Sequence, residues 1–121
     1  NFKALNDLRG HQTGDEALIH LVKVAKEDLR LTDHIARLGG EEFLIILPDT
    51  PLPDAVSALT RLQRELTKRF FLHQNEKLLI TFSAGVTAFH ANESRNETIS
   101  RADAAMYQAK KSGKNRVVPA D

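Results

Sequence analysis

Apolar residues recur along the chain with two different periods, which predict a mixture of helices and strands. Residues 13–30 carry an apolar side chain every three or four positions, the spacing of an amphipathic helix. Thr13 and Glu16 have the spacing of a capping box, so this helix is predicted to begin at Thr13. A shorter helix is predicted over residues 2–9, ended by Gly10. The apolar stripe of the longer helix consists of Ala17, Leu18, Leu21, Val22, Ala25 and Leu29.

Strand patterns come next in the chain. The runs 34–38 and 41–48 flank Gly39 and Gly40, and a Gly-Gly pair between apolar runs predicts a tight hairpin with positive φ at both glycines. The second run is apolar on both faces, which predicts a central position in its sheet. A single strand is predicted over residues 77–89, which alternate and are rich in β-formers.

Two more helices and a short terminal strand complete the pattern. Thr50 and Pro51 are predicted as N-cap and first residue of a helix that runs to about Arg69. After a loop at residues 90–98, the last helix is predicted over residues 100–113. The terminal strand covers residues 115–118. The predicted core positions of the helix that begins at Pro51 are Ala55, Val56, Leu59, Leu62, Leu66 and Phe70. Those of the last helix are Ile99, Ala102, Met106 and Ala109, and Gly113 is predicted as its C-terminal cap.

This order predicts an α+β fold, a mixed and mostly antiparallel central sheet flanked by helices. The length of 121 residues suits one domain, and 41% apolar with 27% charged residues is typical of a globular chain. A further strand is expected before residue 1, because the first residues read as the end of a strand-to-helix turn.

Charge and cysteine content exclude several classes of function. The net charge of +1 gives no electrostatic case for a nucleic-acid polymer or an anionic membrane as the main partner. The chain has no cysteine, which excludes disulfides and thiolate metal sites and fits a cytoplasmic location. No apolar run approaches the roughly 20 residues that span a bilayer. The five histidines lack the spacing of a zinc helix.

Three groups of polar residues are candidates for chemistry. Glu41 and Glu42 at the Gly-Gly turn suit Mg²⁺, whose ligands in proteins are oxygens, and the glycines leave room for a nucleotide. A solvated hairpin tip is the alternative, and the local pattern alone favours it. The second group is Lys3, Asn6 and Asp15, which could contact a phosphate and a purine edge or serve in caps and turns. The third group is Lys110 and Lys114, which could bind a triphosphate or complement the helix dipole.

Five ordered motifs resemble the GGDEF family, the diguanylate cyclases, along nearly the whole chain. They are FKALND, GHQTGDEAL, RLGGEEF followed by LPDT, TFSAGV, and RADAAMYQAKKSGKNRV. The resemblance implies a nucleotidyl-cyclase or palm-like, ferredoxin-like core. It also implies an enzyme that condenses two GTP into cyclic di-GMP and two pyrophosphates, in a homodimer, with Mg²⁺ or Mn²⁺ as cofactor.

The resemblance also implies roles for individual residues. Glu41 is a metal ligand and helps to deprotonate the 3′-hydroxyl, and Glu42 assists the metal site. Lys3 stabilises phosphate charge. The residues that would contact GTP are Asn6, His11 and Asp15 at guanine, Gly39 and Gly40 along the nucleotide, and Lys110 and Lys114 at the β- and γ-phosphates. An R-x-x-D inhibitory site for cyclic di-GMP would consist of Arg30 and Asp33, joined by Arg61.

The sequence departs from the family pattern at its start. The family carries a strand ending in D-x-D before the NFK motif, with a metal-binding aspartate, and these 121 residues do not contain it. The single domain at residues 1–121 is therefore expected to be N-terminally truncated and inactive by itself. Ala84 replaces a usual isoleucine, and Lys114 a frequent arginine. A degenerate domain that senses GTP or cyclic di-GMP without turnover is the alternative function.

Overall fold

The structure, a computed structural model, describes residues 11–39, 42–73 and 75–120. In chain order these residues form α1 His11–Asp28, β1 His34–Gly39, β2 Glu42–Ile46, α2 Leu52–Lys68, β3 Phe71–His73, β4 Glu76–Leu78, β5 Ala84–Thr87, α3 Arg95–Lys111 and β6 Val117–Ala120. The mixture of helices with antiparallel and parallel strands confirms the predicted α+β class. The predicted helix at residues 2–9 lies outside the described residues.

The chain divides into two compact units. The first contains the residues up to Pro48 and Arg64–Thr81, and the second contains Asp49–Gln63 and the residues from Phe82 onward. In the first unit, α1 packs against β1 and β3. The core of this unit consists of Ala17, Leu18, Leu21, Val24, Ala25, Leu66 and Ile80. The predicted stripe of α1 is confirmed at four positions, while Val22 and Leu29 are half-buried and Val24 is buried in their place.

The first hairpin and the start of α1 differ from prediction by one or two residues. The helix already contains His11, so Thr13 lies within it and is not its N-cap. In the hairpin, Gly39 pairs with Glu42, and the register shifts between Arg37 and Gly39. Gly39 is therefore the last residue of β1, one residue beyond the predicted strand end, whereas Gly40 of the predicted Gly39-Gly40 turn lies outside the described residues.

Among the described residues, the strands pair as three two-stranded sheets, β1–β2, β3–β4 and β5–β6. The predicted central position of the second hairpin strand is not found there, since β2 pairs with β1 and Ile46 is 52% exposed. The strand predicted over residues 77–89 is split, because β4 pairs with β3 while β5 pairs with β6. Phe70 is not in the core; it is 43% exposed, with Lys77 Nζ 4.8 Å from its ring centroid.

The second unit is built on a parallel pair, β5 and β6, with α3 packed against both strands. Helix and strand are in close contact at Gly85, where a Cβ atom would lie 1.9 Å from the carbonyl oxygen of Ala102. The predicted terminal strand is confirmed, beginning two residues later at Val117. The core of this unit consists of Ala55, Leu59, Leu62, Val86, Ala105 and Ala109.

The helices of the second unit show how their ends are set. The Ala55 N–H donates to the Pro51 carbonyl at 3.0 Å, so Pro51 occupies the cap and the helix begins one residue later than predicted. Helix α3 begins inside the predicted loop, because Ser94 and Glu97 form a complete capping box. Gly113 follows the end of α3 with φ +120°, which confirms its predicted capping role.

Candidate functional site

The signature hairpin belongs to the first unit, and the structure describes its two flanks. Gly39 has φ +153°, a backbone conformation that favours glycine, and no described atom lies within 4 Å of where its Cβ would be. Glu42 is exposed at the start of β2, directly opposite Gly39 in the register. The described flanks of the hairpin therefore pair an exposed carboxylate residue with a glycine that has no described neighbour near its Cβ position.

Asp15 lies on α1 and faces the same hairpin across an open cavity. The cavity has a volume of about 630 Å³, and its largely apolar lining includes Leu18 and Phe43, with Asp15, Lys26 and Arg37 as polar members. Asp15 is exposed. A carboxylate at the edge of an apolar cavity can accept hydrogen bonds from a flat N–H-bearing ring that packs on the apolar wall.

Several predicted site residues fall outside what the structure describes. These are Lys3, Asn6, Gly40 and Glu41, together with the side chain of His11. No group of three or more histidine or carboxylate side chains that could hold a metal occurs within residues 11–39, 42–73 and 75–120. The one predicted metal ligand that is described, Glu42, offers exposed carboxylate oxygens, which are the donor type that Mg²⁺ prefers.

The predicted inhibitory residues Arg30 and Asp33 are joined by a dense set of hydrogen bonds. The Arg30 backbone N–H donates to Asp33 Oδ2 at 2.9 Å, Nη2 to Oδ1 at 2.7 Å, and Nε to both oxygens at 3.1 and 3.2 Å. Nη2 also donates to the Pro48 carbonyl at 3.2 Å. These bonds to Arg30 hold the pKa of the Asp33 carboxyl below its usual range, opposing the effect of burial.

The pair lines a cleft of about 320 Å³ in the first unit. The Asp33 side chain is only 3% exposed, whereas that of Arg30 is 53% exposed, so the guanidinium is the charge that faces solvent. Lys26 and His34 line the same cleft, and Leu31 beside them is fully exposed. A cationic cleft with apolar surface suits a ligand that carries phosphate and a flat ring. Its other lining residues are Leu29 and Ile35.

The second unit holds Arg61, exposed on α2, and the predicted phosphate-binding lysines. Lys110 lies in the last turn of α3, and Lys114 follows the cap with its N–H bonded to the Ala109 carbonyl at 3.0 Å. Both lysines are exposed. The Nζ atom of Lys111, which lies between them in the chain, is 5.2 Å from the centroid of the Tyr107 ring.

Two polar clusters of the second unit were not found by sequence reasoning. The Arg101 guanidinium contacts Glu93 through an ion pair and donates to the Ala88 carbonyl at 2.8 Å and to the Thr87 hydroxyl. The Arg101 guanidinium, helped by hydrogen bonds from the His90 N–H and the Thr98 hydroxyl, lowers the pKa of Glu93 to about 2. The second cluster joins Gln63 to Asn115. Arg101 and Asn115 lie within the motif RADAAMYQAKKSGKNRV, but that motif does not identify Glu93 and Gln63 as their partners.

The chain matches a known family over most of its length. The family model described as "Diguanylate cyclase, GGDEF domain" matches residues 1–116. The protein "Diguanylate cyclase DgcP" from Pseudomonas aeruginosa is 42% identical over 117 residues, which cover 97% of this chain and 17% of that protein. The chain thus spans about a sixth of the length of this relative.

Two solved structures are also similar. The GGDEF domain of DgcB from Caulobacter crescentus, in complex with c-di-GMP, is 36% identical with a TM-score of 0.90, covering 98% of this chain and 71% of that one. The active GGEEF domain of a diguanylate cyclase from Vibrio cholerae is 33% identical with a TM-score of 0.86, covering 100% and 77%. No helix within the described ranges is long and apolar enough to cross a membrane.

Proposed function

Because this chain belongs to the GGDEF family of diguanylate cyclases, we propose that its role in the intact protein is to condense two molecules of GTP into cyclic di-GMP. The observation that carries the proposal is the complete Gly-Gly-Glu-Glu-Phe signature of the sequence at residues 39–43, supported by the described flanks Gly39 and Glu42, which pair across the hairpin. The V. cholerae domain, whose signature is also GGEEF, is described as active. An intact signature favours turnover over a sensor that only binds.

The reaction consists of two nucleotidyl-transfer steps. In each step the 3′-oxygen of one GTP attacks the α-phosphorus of the other. A new P–O bond forms, the bond from the α-phosphorus to the bridging oxygen breaks, and pyrophosphate leaves with its electron pair. Glu41 takes the proton of the 3′-hydroxyl and releases it to solvent. Each of two domains holds one GTP, so the active form is a homodimer.

Positioning and electrostatics supply most of the catalysis in this chemistry. Asp15 would accept from the N–H groups of guanine while the apolar cavity wall packs against the ring. Glycines 39 and 40 allow the nucleotide to approach the backbone. Asn6 and His11 would complete the guanine contacts. The triphosphate would meet Lys3, Lys110 and Lys114.

Glu41 and Glu42 would hold the divalent cation, Mg²⁺ or Mn²⁺. When bound, the ion would neutralise phosphate charge and lower the pKa of the attacking hydroxyl. Carboxylate oxygens at an exposed hairpin edge suit this role, since Mg²⁺ commonly keeps several waters and takes one or two carboxylates plus substrate phosphates.

The test of the proposed activity is direct. The intact protein is incubated with GTP and Mg²⁺ at a concentration where it dimerises, and cyclic di-GMP and pyrophosphate are quantified. Glu41→Ala should lower the rate by about 10²–10⁴-fold, because the base is lost. Asp103→Ala, which removes an exposed carboxylate on α3, is the matched control. An unchanged yield in Glu41→Ala contradicts the mechanism, and binding of GTP without product identifies a sensor.

We further propose that cyclic di-GMP inhibits its own synthesis by binding at Arg30 and Asp33, with Arg61 as an additional contact. The support is the cleft, in which Asp33 is covered by Arg30 and the arginine faces solvent beside Lys26. Arg30→Ala should raise the inhibition constant for cyclic di-GMP, whereas Lys23→Ala, an exposed lysine on α1, should not. An inhibition constant that is equal in both variants contradicts the proposal.

A further inference from the structure

A strained segment follows the last helix and contains one of the proposed phosphate-binding lysines. Gly113, Lys114 and Asn115 have φ of +120°, +61° and +49° in succession. The backbone of L-residues rarely adopts positive φ, and lysine is not among the residue types that are enriched there. Such backbone persists only where its surroundings over-determine it.

Two sets of hydrogen bonds determine this segment. On one side, the Lys114 N–H donates to the Ala109 carbonyl at 3.0 Å, the bond that closes the end of α3. On the other side, Gln63 Nε2 of α2 donates to the Asn115 carbonyl at 2.5 Å and to Asn115 Oδ1 at 2.8 Å. One amide nitrogen thus binds two oxygens of a single residue that lies 52 positions away in the chain.

This contact is not explained by packing of a core. Lys114 and Asn115 are exposed, and Gln63 is half-buried. A primary amide has two N–H donors, enough to supply both bonds to Asn115. The amide therefore fixes the residue directly after Lys114, while the helix end fixes Lys114 itself. The direction in which the Lys114 side chain leaves the backbone is set from both sides.

We propose that Gln63 is a positioning residue for a nucleoside triphosphate: it clamps Asn115 and thereby aims Lys114 at the phosphates. The inference rests on the proposed function, in which Lys114 binds the β- and γ-phosphates of GTP. A lysine ammonium on a flexible stem is a point charge, so its contribution depends on where the backbone directs it. Because the clamp already orders the backbone next to Lys114, binding of the ligand costs less conformational entropy.

The test uses Gln63→Glu, which keeps the size of the side chain but replaces the donor by a carboxylate facing two oxygens. GTP affinity is measured calorimetrically with Ca²⁺ in place of Mg²⁺. We expect a dissociation constant about tenfold higher than that of the unmodified protein. Gln108→Glu, an exposed residue on α3, makes the same charge change and should leave affinity within about twofold. Gln63→Leu, which removes the donors without adding charge, should weaken binding in the same direction.

A double-mutant cycle separates positioning from a general structural effect. Gln63→Glu should add nothing to the loss caused by Lys114→Ala, because the clamp acts through that lysine. Equal affinity in the Gln63 and Gln108 variants, or a full additive loss in the double variant, overturns the proposal. Product formation with Mg²⁺ is measured on the same samples. GTP binding without product contradicts only the proposed activity, and product formation with unchanged affinity in Gln63→Glu contradicts only the clamp.

Discussion

Replacing Gly85 with alanine should destabilise the second unit by forcing α3 away from β5. The added Cβ would lie 1.9 Å from the Ala102 carbonyl oxygen, 2.4 Å from the Met106 nitrogen and 2.9 Å from the Ala105 Cβ. Two of these three atoms are helix backbone, so no rotamer change relieves the overlap. The helix would have to move by more than about 1 Å to restore ordinary contact, which lies near 3.5–4.0 Å.

The magnitude follows from the cost of overpacking. Extra methyl groups in a tightly packed core cost about 1–3 kcal/mol, and more when backbone must shift, so about 3 kcal/mol is expected here. For a chain of 121 residues this corresponds to a fall in Tm on the order of 10 °C. Backbone strain contributes nothing, because Gly85 lies outside the positive-φ region that Gly39 and Gly113 occupy.

The assay is thermal and urea unfolding of the intact protein followed by circular dichroism. Ala105→Gly provides the internal test, since it removes the contact at 2.9 Å and leaves the two closer backbone contacts in place. It should therefore fail to rescue Gly85→Ala, and by itself it should cost about 1 kcal/mol as a glycine within a helix. A Tm of Gly85→Ala within about a degree of the unmodified protein, or full rescue by Ala105→Gly, refutes the reasoning.

Three further predictions concern the stability of the second unit. Glu93→Gln should destabilise the folded protein most above about pH 5, because the pKa of Glu93 is about 2 in the native state and higher in the unfolded state. The stabilisation by the carboxylate is lost as pH falls towards 2. The Tm difference between the variant and the unmodified protein should therefore shrink across that range. Asp103→Asn removes one exposed charge as its control, and a Tm difference for Glu93→Gln that is constant with pH contradicts the linkage. Ser94→Ala should cost about 1 kcal/mol through loss of the capping box, whereas Ser100→Ala on the exposed face of α3 should be close to neutral; equal effects in urea unfolding contradict the cap. Leu62→Ala, at a position that is 2% exposed, should cost about 2–5 kcal/mol, and a loss under 1 kcal/mol contradicts its place in the core.

The sequence predicts helices better than strand pairing because a helix is stabilised by bonds within one segment. The stripe of α1 and the glycine after α3 were both found in this way. The start of α3 also has a sequence signal, because Ser94 and Glu97 have the spacing of a capping box. The polar composition of residues 90–98 led instead to the prediction of a loop.

Strands depend on partners that local patterning does not identify. Residues 77–89 alternate like one strand, yet the pairing with β3 at one end and β6 at the other divides them. The register shift between Arg37 and Gly39, which extends β1 to Gly39, likewise depends on the pairing with β2. Family motifs predicted the candidate residues, whereas the contacts of Arg101 and Gln63 depend on tertiary structure and leave no spacing to read.

The bonds between Arg30 and Asp33 have a consequence for the entropy of ligand binding. An exposed arginine normally loses rotamer freedom when a ligand captures it, at a cost of about 0.5–1.5 kcal/mol. Here the buried carboxylate and the Pro48 carbonyl already restrict the side chain before any ligand arrives. In the unliganded cleft the Arg30 side chain is thus already ordered. A dinucleotide that enters this cleft must fit a guanidinium group whose position is already fixed. A ligand with a different phosphate geometry would gain little from the charge of Arg30.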